Sequence, residues 1–157
     1  MRRLLVLFMA AMLLLAGCSQ YKDVDIEEIK IGKVRMVSSQ EFDLQFKASV
    51  NNPTGTTFEV TSIEGIMLRN GAPFANLKLV ENAAVPSRSS SEVILKCRFS
   101  LTDPLAALAL GLNMASLNSD DFTVDLTATI KGGMLKKSFR YKNVPMSRIF
   151  KEFDIKL

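Results

Sequence analysis

Hydrophobic and polar residues alternate with a period of two through most of this chain, which is typical of β-strands with one buried face. The clearest stretch is 41–50, where apolar residues at the even positions alternate with polar residues at the odd positions. The same pattern predicts six further strands, at 29–36, 58–68, 74–80, 93–101, 122–130 and 135–142. Seven short strands favour an antiparallel sheet architecture.

Turn-forming residues separate these stretches. Asn70-Gly71 suits a type I′ hairpin turn, because both residues tolerate a positive φ. Pro53 and Gly55 end the second predicted strand, and Gly132-Gly133 turns the chain before the last one. The alternation changes phase near Gly32, which predicts a β-bulge there.

The period changes once, after the fifth predicted strand. Asp103 can cap a helix with proline at its first position, and leucines then recur at helical spacing, which predicts one amphipathic helix over 104–116. We expect Leu105, Leu108 and Leu112 to cap one end of the core, and the alternative is that they flank a cleft for acyl chains or an apolar peptide. The predicted fold is a mostly β, antiparallel sandwich of about seven strands with this helix between the fifth and sixth strands, and a small barrel is the alternative.

The first 17 residues have the plan of a secretory signal peptide. Arg2 and Arg3 precede an apolar run that continues to Gly17; as a helix it would measure about 21 Å, too short for a bilayer core of about 30 Å. Leu15-Ala16-Gly17-Cys18 resembles the bacterial lipobox, which implies cleavage before Cys18 and acylation of its thiol and amino group. Ser19 follows the cysteine, so we expect the outer membrane. The domains predicted are a signal peptide at 1–17, a lipidated tether at 18–28 and a β-sandwich at 29–157.

Composition excludes several kinds of chemistry. The chain contains no histidine, which removes imidazole acid–base catalysis and histidine-ligated zinc. The acidic pairs Glu27-Glu28 and Asp120-Asp121 lack the spacing of a calcium loop, and Cys97 lies on the apolar side of a strand, as a core thiol does. We therefore predict no catalytic residue, no metal and no cofactor apart from the lipid on Cys18.

Charge is distributed unevenly. After removal of the first 17 residues, 18 basic residues face 16 acidic ones, yet residues 131–157 hold eight basic residues and only two acidic ones. Lys136, Arg140 and Lys142 alternate on one side of the last predicted strand and are candidate contacts for a partner protein or lipid head groups. An envelope protein anchored by lipid is not expected to meet nucleic acid. The residues 144–157 contain too many apolar side chains for a free tail and are expected to dock on the domain.

A set of short motifs resembles the late embryogenesis abundant type 2 family, the water-stress and hypersensitive-response domain that also occurs in bacterial lipoproteins. The motifs in order are Asn52-Pro53, Phe58-x-Val60, Ile63, Asn70-Gly71, Val85-Pro86 and Ser89 to Ser91. Thr54 stands where the family often has a second asparagine. The resemblance implies a fibronectin III-like sandwich with a helix, no catalytic centre and a role in stress protection.

These observations favour a non-enzymatic envelope protein, held in the membrane by its lipid, that binds or shields other molecules. One alternative is an assembly accessory that binds another envelope protein through its basic C-terminal face. A second is a protein that binds an apolar ligand such as an acyl chain. The sequence leaves the oligomeric state open, because exposed strand edges can pair between copies.

Overall fold

The computed structural model describes residues 23–103, 105, 108 and 118–152. The predicted signal peptide, Cys18 and Leu112 lie outside the described residues. The described part is an antiparallel β-sandwich of eight strands, followed by one short helix. The elements are β1 (Asp25–Met36), β2 (Glu41–Asn52), β3 (Phe58–Arg69), β4 (Ala72–Leu79), β5 (Ala83–Val85), β6 (Ser89–Leu101), a 3₁₀ turn (Ser119–Asp121), β7 (Phe122–Gly132), β8 (Leu135–Pro145) and α1 (Met146–Glu152).

Seven of the eight strands follow one another in a single hydrogen-bonded path, and this path folds into two layers. Its order is β1-β2-β6-β4-β3-β7-β8, with β5 paired to β3. Strands β1, β2 and β6 form one layer, and β3, β7 and β8 form the other. Strand β4 pairs with both β6 and β3, and so it joins the layers along one side. The edge strands of the path are β1 and β8, which leaves each with one edge unpaired by any described strand.

The core lies between the layers in two clusters. The first joins Ala48 and Val50 of β2 and Val93 of β6 to Phe58 of β3 and Val85 of β5. The second lies toward the other end and contains Phe74, Ala75 and Phe122, with the rings of Phe74 and Phe122 in an edge-to-face contact at 5.1 Å. Alternation places the side chains of the first cluster on the inner faces, as the two-residue period predicts. In β4 the consecutive residues Phe74 and Ala75 are both buried, because the register with β3 shifts there.

The predicted Asn70-Gly71 turn and the bulge near Gly32 are confirmed, whereas the turn predicted at Gly132-Gly133 lies one residue later, at 133–134, because Gly132 ends β7. Asn70 and Gly71 have φ angles of 49° and 82°, and positive values at both positions define the predicted type I′ geometry. In β1 the register with β2 shifts between Ile31 and Val34, so Gly32 lies in the predicted bulge.

The largest differences from the predicted strands are at β1, β5 and β6. Strand β6 begins at Ser89, four residues before its predicted start at 93. Strand β1 begins at Asp25, inside the predicted tether, because Ile26 pairs with Val50 and the ladder extends beyond the apolar stretch that marked the strand. Strand β5 was not predicted, because its three small residues, Ala83 to Val85, are too few to show a two-residue period.

The helix that the structure describes from end to end is in a different place from the predicted one. It is α1, which follows the last strand, and Met146 packs on the second core cluster while Ile149 and Phe150 are half-buried. This agrees with the expected docking of residues 144–157 as far as they are described. The predicted helix would lie between β6 and β7, and of it the structure describes Leu105 and Leu108, which are both helical. The Asp103 carboxylate accepts a hydrogen bond from the Leu105 N–H at 2.9 Å. The rest of that prediction lies outside the described residues.

Among the described helices none is both long and apolar enough to cross a membrane.

Candidate functional site

The outer face of the β1-β2-β6 layer carries charges that are paired with one another. Asp43 lies at its centre: the Arg98 side chain donates to the two carboxylate oxygens at 2.7 and 3.0 Å, and Arg35 Nη2 approaches at 3.4 Å. The hydrogen bonds from Arg98 lower the pKa of Asp43 below its ordinary value, and the charges of Arg98 and Arg35 add to that effect. The same contact raises the pKa of Arg98.

The remaining ion pairs of the described residues also involve β1, β2 or β6. They are Lys30–Glu28 within β1, Lys47–Glu92 between β2 and β6, and Lys96–Glu81 between β6 and the loop before β5. Each of these surface pairs stabilises the fold weakly. Their joint effect is on the surface potential, because nearly every cation on this face has a carboxylate beside it.

The outer face formed by β4, β3, β7 and β8 is different. The strand register aligns Lys78, Glu64, Thr127 and Arg140 in one row across the four strands, and Asn76, Ile66 and Asp125 in the next. Directly opposed side chains in such rows lie about 5 Å apart at Cβ. A shallow groove of about 410 Å³ follows this part of the sheet. Its lining residues are Glu64, Gly65, Ile66, Asn76, Leu77, Lys78, Asp125, Leu126, Thr127, Arg140, Tyr141 and Lys142.

The cations of this face lack carboxylate partners. In the described part of the chain, none of Lys78, Lys136, Arg140 and Lys142 forms an ion pair within 4.0 Å. Lys137 Nζ lies 5.5 Å from the centre of the Phe139 ring, a cation–π contact. Lys137 and Phe139 lie on the opposite side of β8 from Lys136 and Arg140. We call Lys136, Arg140 and Lys142 the β8 basic strip. Strand β8 has no acidic residue, so the strip attracts anionic groups along its length.

The structure brings together two of the three basic residues that the sequence analysis singled out. Arg140 and Lys142 both line the groove, whereas Lys136 lies outside it. Lys136 precedes Arg140 by four residues, which corresponds to about 13 Å along a strand. Sequence reasoning missed Lys78 and Glu64, which join the groove only because β4 and β3 pair beside β7. No local sequence signal links them to β8.

Two of the leucines proposed for an apolar cleft, Leu105 and Leu108, do not line this groove. Leu105 is 73% exposed and Leu108 is 62% exposed. Both side chains therefore project away from the sandwich core, contrary to the expectation that they cap it. Helical spacing shows which side chains share a face, but it does not show what that face contacts.

Asn52 is the buried polar residue that organises the opposite end of the sandwich. Its side-chain amide donates to the carbonyl oxygens of Thr56 and Pro86, both at 2.9 Å, and to that of Val85 at 3.4 Å. Its carbonyl oxygen accepts from the Thr54 hydroxyl at 2.7 Å and from the Thr54 N–H at 3.1 Å. The residue is 0% exposed, so it acts as a structural tie between the loops after β2 and β5.

Cys97 and the Asp120-Asp121 pair, the other residues considered for chemistry, have structural roles in the fold. Burial raises the pKa of the Cys97 thiol to about 11, which makes it a poor nucleophile. Asp120 and Asp121 lie in the 3₁₀ turn, which Asn118 caps by accepting from the Asp120 N–H at 3.1 Å. Over the residues with described positions, no cluster of three or more cysteine, aspartate or glutamate side chains is arranged to hold a metal ion.

Comparison with known proteins assigns no family. No family model matches the chain, and no curated protein matches it. Among solved structures, a crystal structure of a protein from Archaeoglobus fulgidus has a TM-score of 0.48 and 15% sequence identity, and the match covers 75% of this chain and 98% of that one. The GAE domain of yeast GGA1 has a TM-score of 0.33 and 11% identity, covering 75% of this chain and 94% of that one. The class is therefore defined by the fold: an antiparallel β-sandwich with one ion-paired outer face and one basic outer face.

Proposed function

We propose that this chain is a non-enzymatic, lipid-anchored protein of the bacterial cell envelope, placed in the outer membrane, that binds an acidic surface of another envelope protein through the β8 basic strip. The observation that carries the proposal is the contrast between the two outer faces. Carboxylates neutralise the cations of β1, β2 and β6 except Lys33, whereas Lys136, Arg140 and Lys142 have no ion pair among the described residues.

The envelope location rests on the sequence of the first 18 residues. The lipobox-like Leu15-Ala16-Gly17-Cys18 predicts an acylated Cys18, and three acyl chains would hold the protein permanently in a bilayer. The resemblance to the late embryogenesis abundant type 2 family supports a module that binds or protects other molecules, in the context of water stress.

Site-specific photocrosslinking in intact cells tests the partner. A photoreactive residue replaces Arg140 in one variant and Lys142 in another, and a matched control carries it at Lys47 on the ion-paired face. We expect one dominant protein adduct from positions 140 and 142, and none from position 47. The same mixture of adducts from both faces would overturn the proposal, because the strip would then have no preferred partner.

Fractionation tests the anchor. Cys18→Ser should move the protein from the membrane fraction to the soluble fraction and remove the mass of the acyl chains from the intact protein. A Cys97→Ser variant is the matched control and should stay in the membrane fraction. Unchanged fractionation of Cys18→Ser would disprove lipid anchoring.

A further inference from the structure

Strand β8 leaves its second edge open. The strand order ends at β8, and β7 is its one described neighbour. Of its residues, Phe139 and Val144 are half-buried and all the others are exposed, so no part of the chain that the structure describes covers the edge. Backbone N–H and C=O groups on such an edge form a template for an additional strand.

The β8 edge is a better template for an additional strand than the β1 edge. Register shifts interrupt β1 twice, and Lys30 and Arg35 on it already have carboxylate partners. In contrast, β8 pairs without interruption from Leu135 to Tyr141, and its bulge comes only after Tyr141. A straight run of seven residues is long enough to support a typical strand.

Charge determines what the added strand must be. The basic strip would repel another copy of β8, so a symmetric pair of β8 edges is disfavoured. An incoming strand with carboxylates would lie about 4.8 Å from β8, close enough for its side chains to meet Lys136 and Arg140. The exposed ring of Tyr141 and the half-buried ring of Phe139 would accept apolar residues at the alternate positions.

We propose that β8 binds an extended acidic segment of a partner protein as an additional β-strand. This inference rests on the proposed function, since it specifies how the β8 basic strip would bind its acidic partner. The segment would carry carboxylates opposite Lys136 and Arg140, and apolar side chains opposite Phe139 and Tyr141.

A synthetic peptide tests the inference. The fluorescent seven-residue probe has acidic residues opposite Lys136 and Arg140 and branched apolar residues opposite the aromatic rings, so that acidic and apolar positions lie on opposite faces of the strand. It is titrated against the full chain in detergent micelles, with fluorescence anisotropy as the measurement. A control peptide has the same composition with its acidic residues grouped at one end. Two further versions of the probe are N-methylated at alternate residues, one at the odd and one at the even positions, because the methyl groups block backbone pairing along one edge of the peptide.

We expect the alternating peptide to bind at least about tenfold more tightly than the grouped one, and one of the two N-methylated versions to lose binding. Hydrogen exchange should slow in Leu135–Tyr141 when the peptide is bound. Arg140→Glu should weaken binding about tenfold, because an attraction becomes a repulsion. Lys33→Glu, the same charge change on β1, should leave binding unchanged.

Other outcomes would overturn the added-strand mode. Equal binding of the grouped peptide would show attraction by charge alone, which contradicts the strand and leaves the proposed function intact. Binding of anionic vesicles in place of the peptide would assign the strip to lipid, and salt-sensitive self-association through the acidic residues of β1 would assign it to a second copy. Absence of binding by every peptide would also refute the inference. If the photocrosslinking finds a dominant partner in that case, the proposed function stands without the strand mechanism.

Discussion

Replacement of Asn52 by alanine tests the main polar tie in this fold. The asparagine side chain makes four close hydrogen bonds, two from its amide group to the carbonyl oxygens of Thr56 and Pro86 and two to its oxygen from Thr54, with a longer contact to Val85. Alanine removes all of these and leaves the loop carbonyls without their donor. The loops after β2 and β5 then lose their connection at that end of the sandwich.

The size of the effect follows from the number of bonds and their burial. A hydrogen bond contributes about 1 kcal/mol net, and a buried group left without its partner costs about 1–3 kcal/mol. Asn52 is fully buried, but its partners are only partly so, and water can therefore reach some of them after the substitution. We expect Asn52→Ala to lower the free energy of unfolding by about 3–5 kcal/mol, which is a large share of the roughly 5–15 kcal/mol typical of a domain.

Urea unfolding followed by far-ultraviolet circular dichroism measures this effect. Asn51→Ala is the matched control: the neighbouring side chain makes one exposed hydrogen bond, from the Ser90 hydroxyl at 3.1 Å, and its loss should cost less than about 1 kcal/mol. Asn52→Asp should be at least as damaging as alanine at neutral pH, because a carboxylate would face three carbonyl oxygens. Equal stability losses for Asn51→Ala and Asn52→Ala would refute the argument that the buried amide holds the loops together.

Three further predictions concern other parts of the sandwich. Gly132→Ala should lower the free energy of unfolding in urea by about 1–3 kcal/mol, because a Cβ there would lie 2.6 Å from ring carbons of the buried Phe58. Gly55→Ala is the control: its nearest neighbour would lie at 3.5 Å, so the free energy of unfolding should change by less than about 0.5 kcal/mol. Burial raises the pKa of Cys97 to about 11 from an ordinary value of 9.0. The stability contributed by its protonated thiol is therefore complete below pH 9 and is lost as the pH rises through about 11. Cys97→Val should remove this part of the alkaline pH dependence of stability. Arg98 lowers the pKa of Asp43 below 3.8, so that carboxylate stabilises the fold above pH 3.8 and ceases to do so as the pH falls through its lowered pKa; Asp43→Asn should flatten the acid limb of a stability–pH curve, and an unchanged limb would contradict the assignment.

The fold could be predicted from the sequence where one face of a strand is buried. The stretch 41–50 alternates because its even residues form the inner face of β2, and the Asn70-Gly71 turn follows from backbone geometry that few other residues adopt. Two short elements that depend on their neighbours were not predicted: β5 exists because β3 lies beside it, and α1 is held by the second core cluster through Met146.

The candidate site could be predicted only in part, for a related reason. Alternation placed Lys136, Arg140 and Lys142 on one side of the last strand, because these residues are close in sequence. The row that joins Lys78 and Glu64 to Arg140 depends on pairing between strands far apart in the chain, and no periodicity reports that pairing. Ion pairing depends on the same contacts, so the contrast between the outer faces became visible only in three dimensions.

The position of β4 also has a mechanical consequence. Since β1 and β8 lie at the two ends of the hydrogen-bonded path, a pulling force applied between them is carried by the six ladders of that path in series, together with the core contacts between the layers. The shortest step on that route joins Ala75–Leu79 of β4 to β6. Under tension the sandwich should part there first and separate into two halves, each of which keeps its own longer ladders.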